Sequence, residues 1–263
     1  MLSPDEIDAY QRDGYLVPRL KLCEADVDKL QRFTQQLVAD NPQARAAIRR
    51  PHLADAAGSQ TLERQVDWLN IAKNPKVLDI VEQLIGPDIV LWTSTLFYKA
   101  VQEAATPWHR DKCPFLSLSE GEAIITVWIA VFDVLRKDGA LRVLPGSHIQ
   151  GPLDLRSVDD RHIYGRLCLT ETDERTAVDV ELDAGQMIIF DASTVHGTWP
   201  NLSSCERYGY SVRFFPATSY FDRSTTLGLE RSRELILVRG EDRAGNISCP
   251  MAAADRPIIK TSC

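Results

Sequence analysis

Long apolar stretches are missing from this sequence of 263 residues. No segment approaches the roughly 18 consecutive apolar residues that a membrane-spanning helix needs. The N-terminus, Met1–Glu6, also lacks the basic and apolar regions of a secretory signal peptide. The six cysteines are scattered and form no Cys-x-x-Cys pair, which argues against a disulfide or zinc framework. These absences predict a cytoplasmic protein with reduced thiols that does not associate with membranes.

An excess of basic charge is missing as well. The chain has 30 lysine and arginine residues against 37 aspartate and glutamate residues, so its formal net charge is −7. This balance excludes a nucleic-acid binder that works through a basic surface. Hydrophobic residues make up 44% and charged residues 25%, which is typical of a globular protein. Because no repeat or low-complexity linker divides the chain, we predict a single domain over residues 1–263.

Helix signals are concentrated in the first third of the chain. Ser3 and Glu6 have the spacing of a capping box, in which the serine side chain and the glutamate side chain satisfy the first backbone donors. Residues 40–60 contain prolines and a glycine without helical spacing, so they read as an irregular surface segment with a solvated His52. The expected helices cover residues 4–13, about 24–39 and 75–85.

From residue 88 onward, short strands separated by turn residues replace the helical pattern. In the strand around Trp128, Thr126 and Ala130 share the face of the tryptophan, and apolar residues occupy the other face. Many short strands after a helical start predict a mainly β protein with flanking helices and a double-stranded β-helix core, a cupin-like jelly roll. The expected strands cover residues 89–99, 123–132, 141–144, 178–182, 187–191 and 207–215. The expected divisions are a helical part over about 1–87, a jelly-roll core over about 88–216, and a tail, 217–263, whose weak periodicity does not place it.

Three residues in this core have the chemistry of a metal site. His109 and Asp111 are two residues apart, so on an extended strand their side chains project to the same side. His196, from a distant strand, could complete the set. Two neutral imidazoles and one carboxylate, with adjacent coordination positions left open, form the ligand set of non-haem Fe(II) oxygenases.

A basic residue follows His196 at the start of the next expected strand. Arg207 lies eleven residues after His196, at the start of the next expected strand. From there its guanidinium could hold the far carboxylate of a dicarboxylic keto acid by a bidentate charged pair. With these pieces in order, the chain resembles the phytanoyl-CoA dioxygenase family of 2-oxoglutarate-dependent oxygenases over roughly residues 90–216. The matching pieces are Lys99, Trp108–Asp111, Val127–Ala130, Asp138–His148 and the segment from His196 to Phe215.

The resemblance implies the reaction and its cofactors. Fe(II) would be held by His109, Asp111 and His196, and 2-oxoglutarate and O2 would be the co-substrates. Hydroxylation of an unactivated C–H bond of a small-molecule substrate would then accompany the release of succinate and CO2. The resemblance does not identify the substrate.

For several further residues the sequence predicts a contact with the co-substrate or the substrate, and for each of them it also leaves an alternative. The ring of Trp128 would flank the 2-oxoglutarate pocket or belong to the core. The hydroxyl of Thr198 could bond to the keto acid or to its own backbone. Lys99 could reach a carboxylate inside the barrel or be solvated at the end of its strand. Arg213 shares strand parity with Arg207, so it competes with Arg207 as the anchor of 2-oxoglutarate. It would otherwise contact substrate or pair with a barrel carboxylate. Small residues between these two arginines, Gly209 and Ser211, would leave room for a ligand.

A polar segment, residues 147–176, interrupts the expected strands and reads as an insertion over the mouth of the barrel. It contains Arg156, Arg161 and Arg166, spaced five residues apart. At least one of them could contact an anionic group of a substrate. The alternative is a solvated surface loop whose arginines contact only water.

Other functions fit the same residues less well. Desaturation, epoxidation or ring closure in natural-product tailoring would use the same metal site. Halogenating relatives carry a small residue where this chain has Asp111, so the aspartate argues against halogenation. Arg207 at the co-substrate spacing argues against a metal-dependent jelly-roll isomerase or hydrolase. A jelly-roll ligand-binding protein without catalytic activity remains a less favoured alternative.

Overall fold

The computed structural model has four α-helices, two larger antiparallel sheets and one two-stranded sheet in the part of the chain that it describes. The described residues are 1–42, 47–49, 51–52, 62–111, 118, 123–150, 155–157, 167–169, 173–224 and 234–247. The helices are α1 (Pro4–Asp13), α2 (Glu24–Asp40), α3 (Leu62–Ala72) and α4 (Pro75–Ile85). The strands are β1 (Tyr15–Leu16), β2 (Ala47–Arg49), β3 (Ile89–Lys99), β4 (Ile125–Ala130), β5 (Leu141–Val143), β6 (Leu155–Ser157), β7 (Leu167–Leu169), β8 (Val178–Val180), β9 (Met187–Asp191), β10 (His196–Thr198), β11 (Arg207–Pro216) and β12 (Ile236–Arg239).

The larger sheet has seven strands in the order β1-β9-β4-β11-β3-β12, and β2 also pairs with β3. The smaller sheet has the order β10-β5-β8, and β6 pairs with β7 as a separate hairpin. Apolar residues of both sheets, among them Trp128, Leu141 and Ile188, form one buried cluster, so the two sheets pack face to face. This arrangement confirms the expected mainly β jelly roll with flanking helices.

The outer face of the larger sheet packs against the helices. Val127 and Ile129 of β4 are fully buried in a cluster that also contains Leu30 of α2, Trp68 of α3 and Ile80 of α4. Alternate residues of β4 therefore serve two different cores, as the sequence pattern predicts. Within the described residues, none of the helices has the length and apolar character that crossing a membrane requires.

Local signals locate the helix ends correctly. Ser3 and Glu6 form the predicted capping box at the start of α1, and Gly14 ends that helix in the left-handed conformation. Asn74 caps α4 by accepting a hydrogen bond from the backbone N–H of Lys76, and Gly86 follows the last turn.

Five features differ from what the sequence predicts. Residues 40–60 are not wholly irregular, because β2 adds to the edge of β3. His52 is buried rather than solvated, and its Nδ1 lies 2.6 Å from Ser94 Oγ. No sequence pattern predicts α3, and part of the unplaced tail forms β12 against β3. His109 lies in an isolated bridge with His196 rather than in a regular strand.

The end of α1 is fastened to the segment that leads into β10. The carbonyl of Gly14 accepts hydrogen bonds from the Thr194 hydroxyl at 2.7 Å and from the backbone N–H of Asp191 at 2.9 Å. A Cβ atom added at Gly14 would lie 2.3 Å from Nδ1 of His148. Glycine is therefore required at this position both by its backbone conformation and by the close approach.

We expect Gly14→Ala to destabilise the protein more than Gly245→Ala. Both glycines have similar positive φ angles, 77° and 75°, but a Cβ at Gly245 meets nothing within 4 Å. The backbone cost of about 1 kcal/mol is common to both variants, and overpacking adds about 1–3 kcal/mol at Gly14 alone. The free energy of unfolding in urea measures both effects. Equal losses in the two variants would contradict the tight docking of α1.

Candidate metal centre

Two chain segments meet at the candidate metal centre through their backbones. The N–H of His109 donates to the carbonyl of His196, and the N–H of His196 donates to the carbonyl of His109, both at 2.9 Å. His196 begins β10, which is itself paired with β5. Asp111 follows two residues after His109, and all three side chains are buried. One potential ligand atom from each residue lies within 4.8 Å of the others, so the cluster has the dimensions of a metal site.

The two histidines are held in the tautomer that a metal site needs. Nδ1 of His109 lies 2.8 Å from the carbonyl of Pro107, and Nδ1 of His196 lies 2.9 Å from the carbonyl of Thr194. Because a carbonyl only accepts, each Nδ1 carries the proton and each Nε2 carries a lone pair. Backbone carbonyls in this role are common behind metal-ligating histidines. Two imidazole nitrogens and one carboxylate fit Fe(II).

The carboxylate of Asp111 accepts three hydrogen bonds on one of its two oxygens. Its Oδ2 accepts hydrogen bonds from Arg213 Nη2 at 2.6 Å, from Arg213 Nε at 3.0 Å and from the Thr126 hydroxyl at 3.2 Å. Its Oδ1 lies 3.8 Å from Nε2 of His196. Arg213, considered above as a substrate contact, is therefore engaged by a barrel carboxylate, which is the second of its two expected roles.

These residues line one cavity of about 640 Å³, a volume that includes its open mouth. Aromatic and aliphatic side chains form much of its wall, and basic side chains converge on it from β3 and β11. This combination of an apolar wall with few convergent polar groups is usual for small-molecule sites. The lining residues include Phe97, Tyr98, Lys99, Glu103, Thr106, Trp128, Leu141, Phe190, Thr198, Arg207, Ser211 and Arg213.

Arg207 is buried in this cavity with part of its guanidinium unsatisfied. Among the described residues, its Nε has no hydrogen-bond partner. Burial lowers the pKa of Arg207 to about 10, and the charge of Glu103 opposes this shift. Because that pKa still lies well above neutrality, the side chain keeps its positive charge. A buried cation of this kind fits an anionic ligand group.

Trp128 lies beside Arg207 and lines the cavity, and it also belongs to the buried cluster between the two sheets, so its contact with 2-oxoglutarate stays a prediction. The guanidinium carbon of Arg207 is 5.4 Å from the ring centroid. A Cβ atom at Gly209 would lie 1.8 Å from a ring atom of Trp128. The space at Gly209 is therefore filled by the tryptophan, and the expectation that this glycine leaves room for a ligand is wrong. Ser211, in contrast, does line the cavity.

Lys99 and Thr198 also reach the cavity. Lys99 is almost fully buried, so the solvated alternative is wrong. Its ammonium donates to the carbonyl of Ala104 and lies 3.8 Å from the carboxylate of Glu103. The Thr198 hydroxyl accepts a hydrogen bond from the backbone N–H of Thr106 at 3.0 Å, so its partner is a distant backbone group and not its own backbone. Its contact with the keto acid stays a prediction.

Glu103 was missed in the sequence because it lies in a turn without any recognisable motif. Thr126 was placed on the inward face of its strand, but its bond to Asp111 depends on a distant partner. The outward neighbours of the ligands were missed as well. Trp108 Nε1 donates to Glu174 at 3.0 Å, and Arg110 Nη2 donates to the carbonyl of Ser147 at 2.6 Å.

The proposed substrate contacts of the insertion lie mostly beyond the described part of the chain. Arg161 and Arg166 are outside the described residues. For Arg156 only the backbone is described, and it pairs with Cys168 across the β6–β7 hairpin. Residues 112–122 are expected from the sequence to form a second loop at the barrel mouth, and of these only Leu118 is described. The roles of the three arginines therefore stay predictions.

Comparison with known proteins agrees with this geometry. The chain is 26% identical over 142 residues to a probable alpha-ketoglutarate-dependent hypophosphite dioxygenase of Stutzerimonas stutzeri. That match covers 52% of this chain and 49% of the relative, so the chain spans about half of that protein's length. It is 21% identical over 243 residues to the peroxisomal phytanoyl-CoA dioxygenase of Bos taurus, with 84% of this chain and 71% of the relative covered.

A solved structure shares the fold over most of the chain. The apo form of the non-heme monooxygenase ThoJ superimposes with a TM-score of 0.69 and 26% sequence identity, covering 91% of this chain and 85% of that chain. The family model described as phytanoyl-CoA dioxygenase matches residues 10–209. Because this segment contains the His–Asp–His cluster and Arg207, the chain belongs to the phytanoyl-CoA dioxygenase family of Fe(II)- and 2-oxoglutarate-dependent oxygenases.

Proposed function

We propose that the chain is a dioxygenase that hydroxylates an unactivated C–H bond of a small-molecule metabolite and converts 2-oxoglutarate and O2 to succinate and CO2. One observation carries this proposal. A buried cluster of two imidazoles and one carboxylate lines the same cavity as a buried arginine whose Nε has no partner among the described residues. The first group suits Fe(II), and the second suits a carboxylate.

In this proposal each cavity residue has a defined task. His109 and His196 offer Nε2 and Asp111 offers Oδ1 to the iron, and Arg207 pairs with the distal carboxylate of 2-oxoglutarate. Bound iron supplies O2 activation, with two electrons from 2-oxoglutarate and two from the substrate C–H bond. The apolar wall, including Phe190 and Leu141, keeps water from the reacting groups and strengthens the charged contacts.

The proposal includes a cytoplasmic location. In the part of the chain whose side chains are described, both cysteines, Cys23 and Cys205, are free thiols. Free thiols are typical of reducing compartments.

The direct test is a succinate assay with Fe(II), 2-oxoglutarate and a library of metabolites. A true substrate stimulates succinate formation above the background of the enzyme alone. Mass spectrometry of the product then separates oxygen insertion from dehydrogenation, because hydroxylation or epoxidation adds one oxygen atom and desaturation or ring closure removes two hydrogen atoms. Absence of succinate with every candidate, in protein that holds its metal, would favour a ligand-binding protein instead.

We expect Asp111→Ala to lose metal affinity by more than about a hundredfold, since even residues behind the ligands contribute about 10- to 100-fold. The variant removes the only anionic group of the cluster. Anaerobic Fe(II) binding and the weak visible absorption band that forms with 2-oxoglutarate measure the effect. Asp133→Ala, at an exposed aspartate, is the control and should match the wild type. Undiminished metal binding and hydroxylation in Asp111→Ala would rule out this ligand set.

We expect Arg207→Ala to raise the 2-oxoglutarate concentration needed for half-maximal turnover by about a hundredfold or more, because a buried carboxylate then lacks its charged partner. A keto acid without the distal carboxylate should no longer be the poorer co-substrate in this variant. The control is Arg239→Ala, whose ion pairs to Asp79 and Glu82 lie on the helical face. If the co-substrate requirement stays unchanged, the anchor lies elsewhere.

A further inference from the structure

Arg213 donates two hydrogen bonds to the same carboxylate oxygen of Asp111. Its Nε and Nη2 both donate to Oδ2, at 3.0 and 2.6 Å, although an arginine and a carboxylate usually pair through two parallel bonds to two oxygens. The Thr126 hydroxyl donates to the same Oδ2 at 3.2 Å. The other oxygen, Oδ1, is the one near His196. The hydrogen bonds therefore make the two carboxylate oxygens of Asp111 unequal, because the donors of Arg213 and Thr126 all lie on Oδ2.

The strand register produces this arrangement. Arg213 of β11 is directly opposite Thr126 of β4, so both side chains leave the sheet at the same level and on the same face. Asp111 reaches the pair from the segment that crosses the cavity. All three residues are buried, with exposed fractions between 1% and 5%. In such surroundings a charged hydrogen bond is strong and its geometry is well defined.

Three donors exhaust the accepting capacity of one carboxylate oxygen. A carboxylate offers about four lone-pair positions over its two oxygens, hence about two on each. With two bonds from Arg213 and one from Thr126, Oδ2 has no position left for a metal ion. Asp111 can therefore offer a metal ion one oxygen but not both.

We propose that Arg213, assisted by Thr126, is a positioning residue that restricts Asp111 to a single ligand oxygen. The inference rests on the proposed function. An ion with octahedral coordination has three positions left after two imidazoles and one carboxylate oxygen. 2-Oxoglutarate takes two of these positions, and one remains for O2. If Asp111 supplied both oxygens, 2-oxoglutarate would fill the remaining positions and O2 would have none.

If Arg213 had a purely structural role, its loss would have a different effect from the one that the positioning role predicts. Arg213 also neutralises a buried carboxylate, and its loss would lower stability whether or not Asp111 ligates a metal. A test must therefore count the open positions on the metal and not only record stability or activity. Mn(II) serves this purpose, because water molecules on Mn(II) enhance the relaxation of bulk water protons in proportion to their number.

The experiment measures water-proton relaxation of the full-length protein loaded with Mn(II), before and after saturation with 2-oxoglutarate. In the wild type, 2-oxoglutarate should lower the enhancement but leave the residual part that one remaining water produces. In Arg213→Met, which keeps the side-chain length but has no donor, the second oxygen of Asp111 is released. Saturation with 2-oxoglutarate should then remove the residual enhancement.

The matched control is Arg243→Met. Arg243 pairs with Asp88, another buried aspartate, but neither residue lines the cavity. This variant should lose stability and keep the wild-type relaxation. Arg213→Lys, which keeps the charge and donors, should retain most of the residual enhancement. Added Mn(II) should also restore the melting temperature of Arg213→Met more than that of Arg243→Met, because the ion replaces the missing positive charge beside Asp111.

The outcomes separate the inference from the proposed function. If 2-oxoglutarate does not lower the enhancement in the wild type, the proposed function fails. If it does, and Arg213→Met keeps the same residual enhancement as the wild type, the positioning role of Arg213 is overturned. Should Arg213→Met not fold, Arg213→Gln is the second variant, because it removes the charge and the two converging donors from a side chain that stays polar. A residual enhancement below that of the wild type in Arg213→Gln supports the proposal, and an unchanged value overturns it.

Discussion

The mutual backbone hydrogen bonds between His109 and His196 are the constraint on which the rest of the site depends. They join two segments that are far apart in the sequence and fix the two rings at a centroid distance of 4.3 Å. Each ring is then oriented by a carbonyl two residues before its own position, from Pro107 or Thr194. The orientation of both imidazoles is thus set by backbone atoms, which side-chain substitutions elsewhere do not remove.

Side chains of the segment around His109 project alternately toward the cavity and away from it. The contacts of the outward side chains hold the segment, and with it the inward ligands, in position. Trp108 and Arg110 alternate with the ligands and bond outward, to Glu174 and to the corner at Ser147. Arg142 of β5 lies 4.9 Å from the Trp108 ring and forms an ion pair with Glu174 at 2.7 Å. These contacts link the ligand-bearing segment to both described ends of the polar insertion. A change at the outer face is therefore expected to reach the metal ligands through the backbone.

The sequence predicts those features whose signal lies within a few neighbouring residues, and it does not predict those that depend on contacts between distant residues. The capping box of α1, the long strands β3 and β11 and the His-x-Asp spacing are signals contained within a few residues. Three-residue strands such as β10 have too few positions to show a period. His52 was misjudged because its partner, Ser94, belongs to another strand. The two possible partners of Arg213 could be distinguished only once the register between β11 and β4 was known. The same register shows that Gly209 accommodates Trp128.

Charge balance distinguishes the three cations of the cavity. Lys99 has the carboxylate of Glu103 at 3.8 Å, and Arg213 has that of Asp111 at 2.6 Å. For Arg207, no carboxylate lies within ion-pair distance among the described residues, although the charge of Glu103 still acts on it. Burying a cation without a direct partner is costly, so a fold that keeps one there gains most from a ligand that supplies the anion. A dicarboxylate that chelates the metal through one end would place its other carboxylate at Arg207. Under the proposed function, the cavity therefore selects its co-substrate through the positive charge of Arg207, which the protein leaves without a direct partner within the described part of the chain.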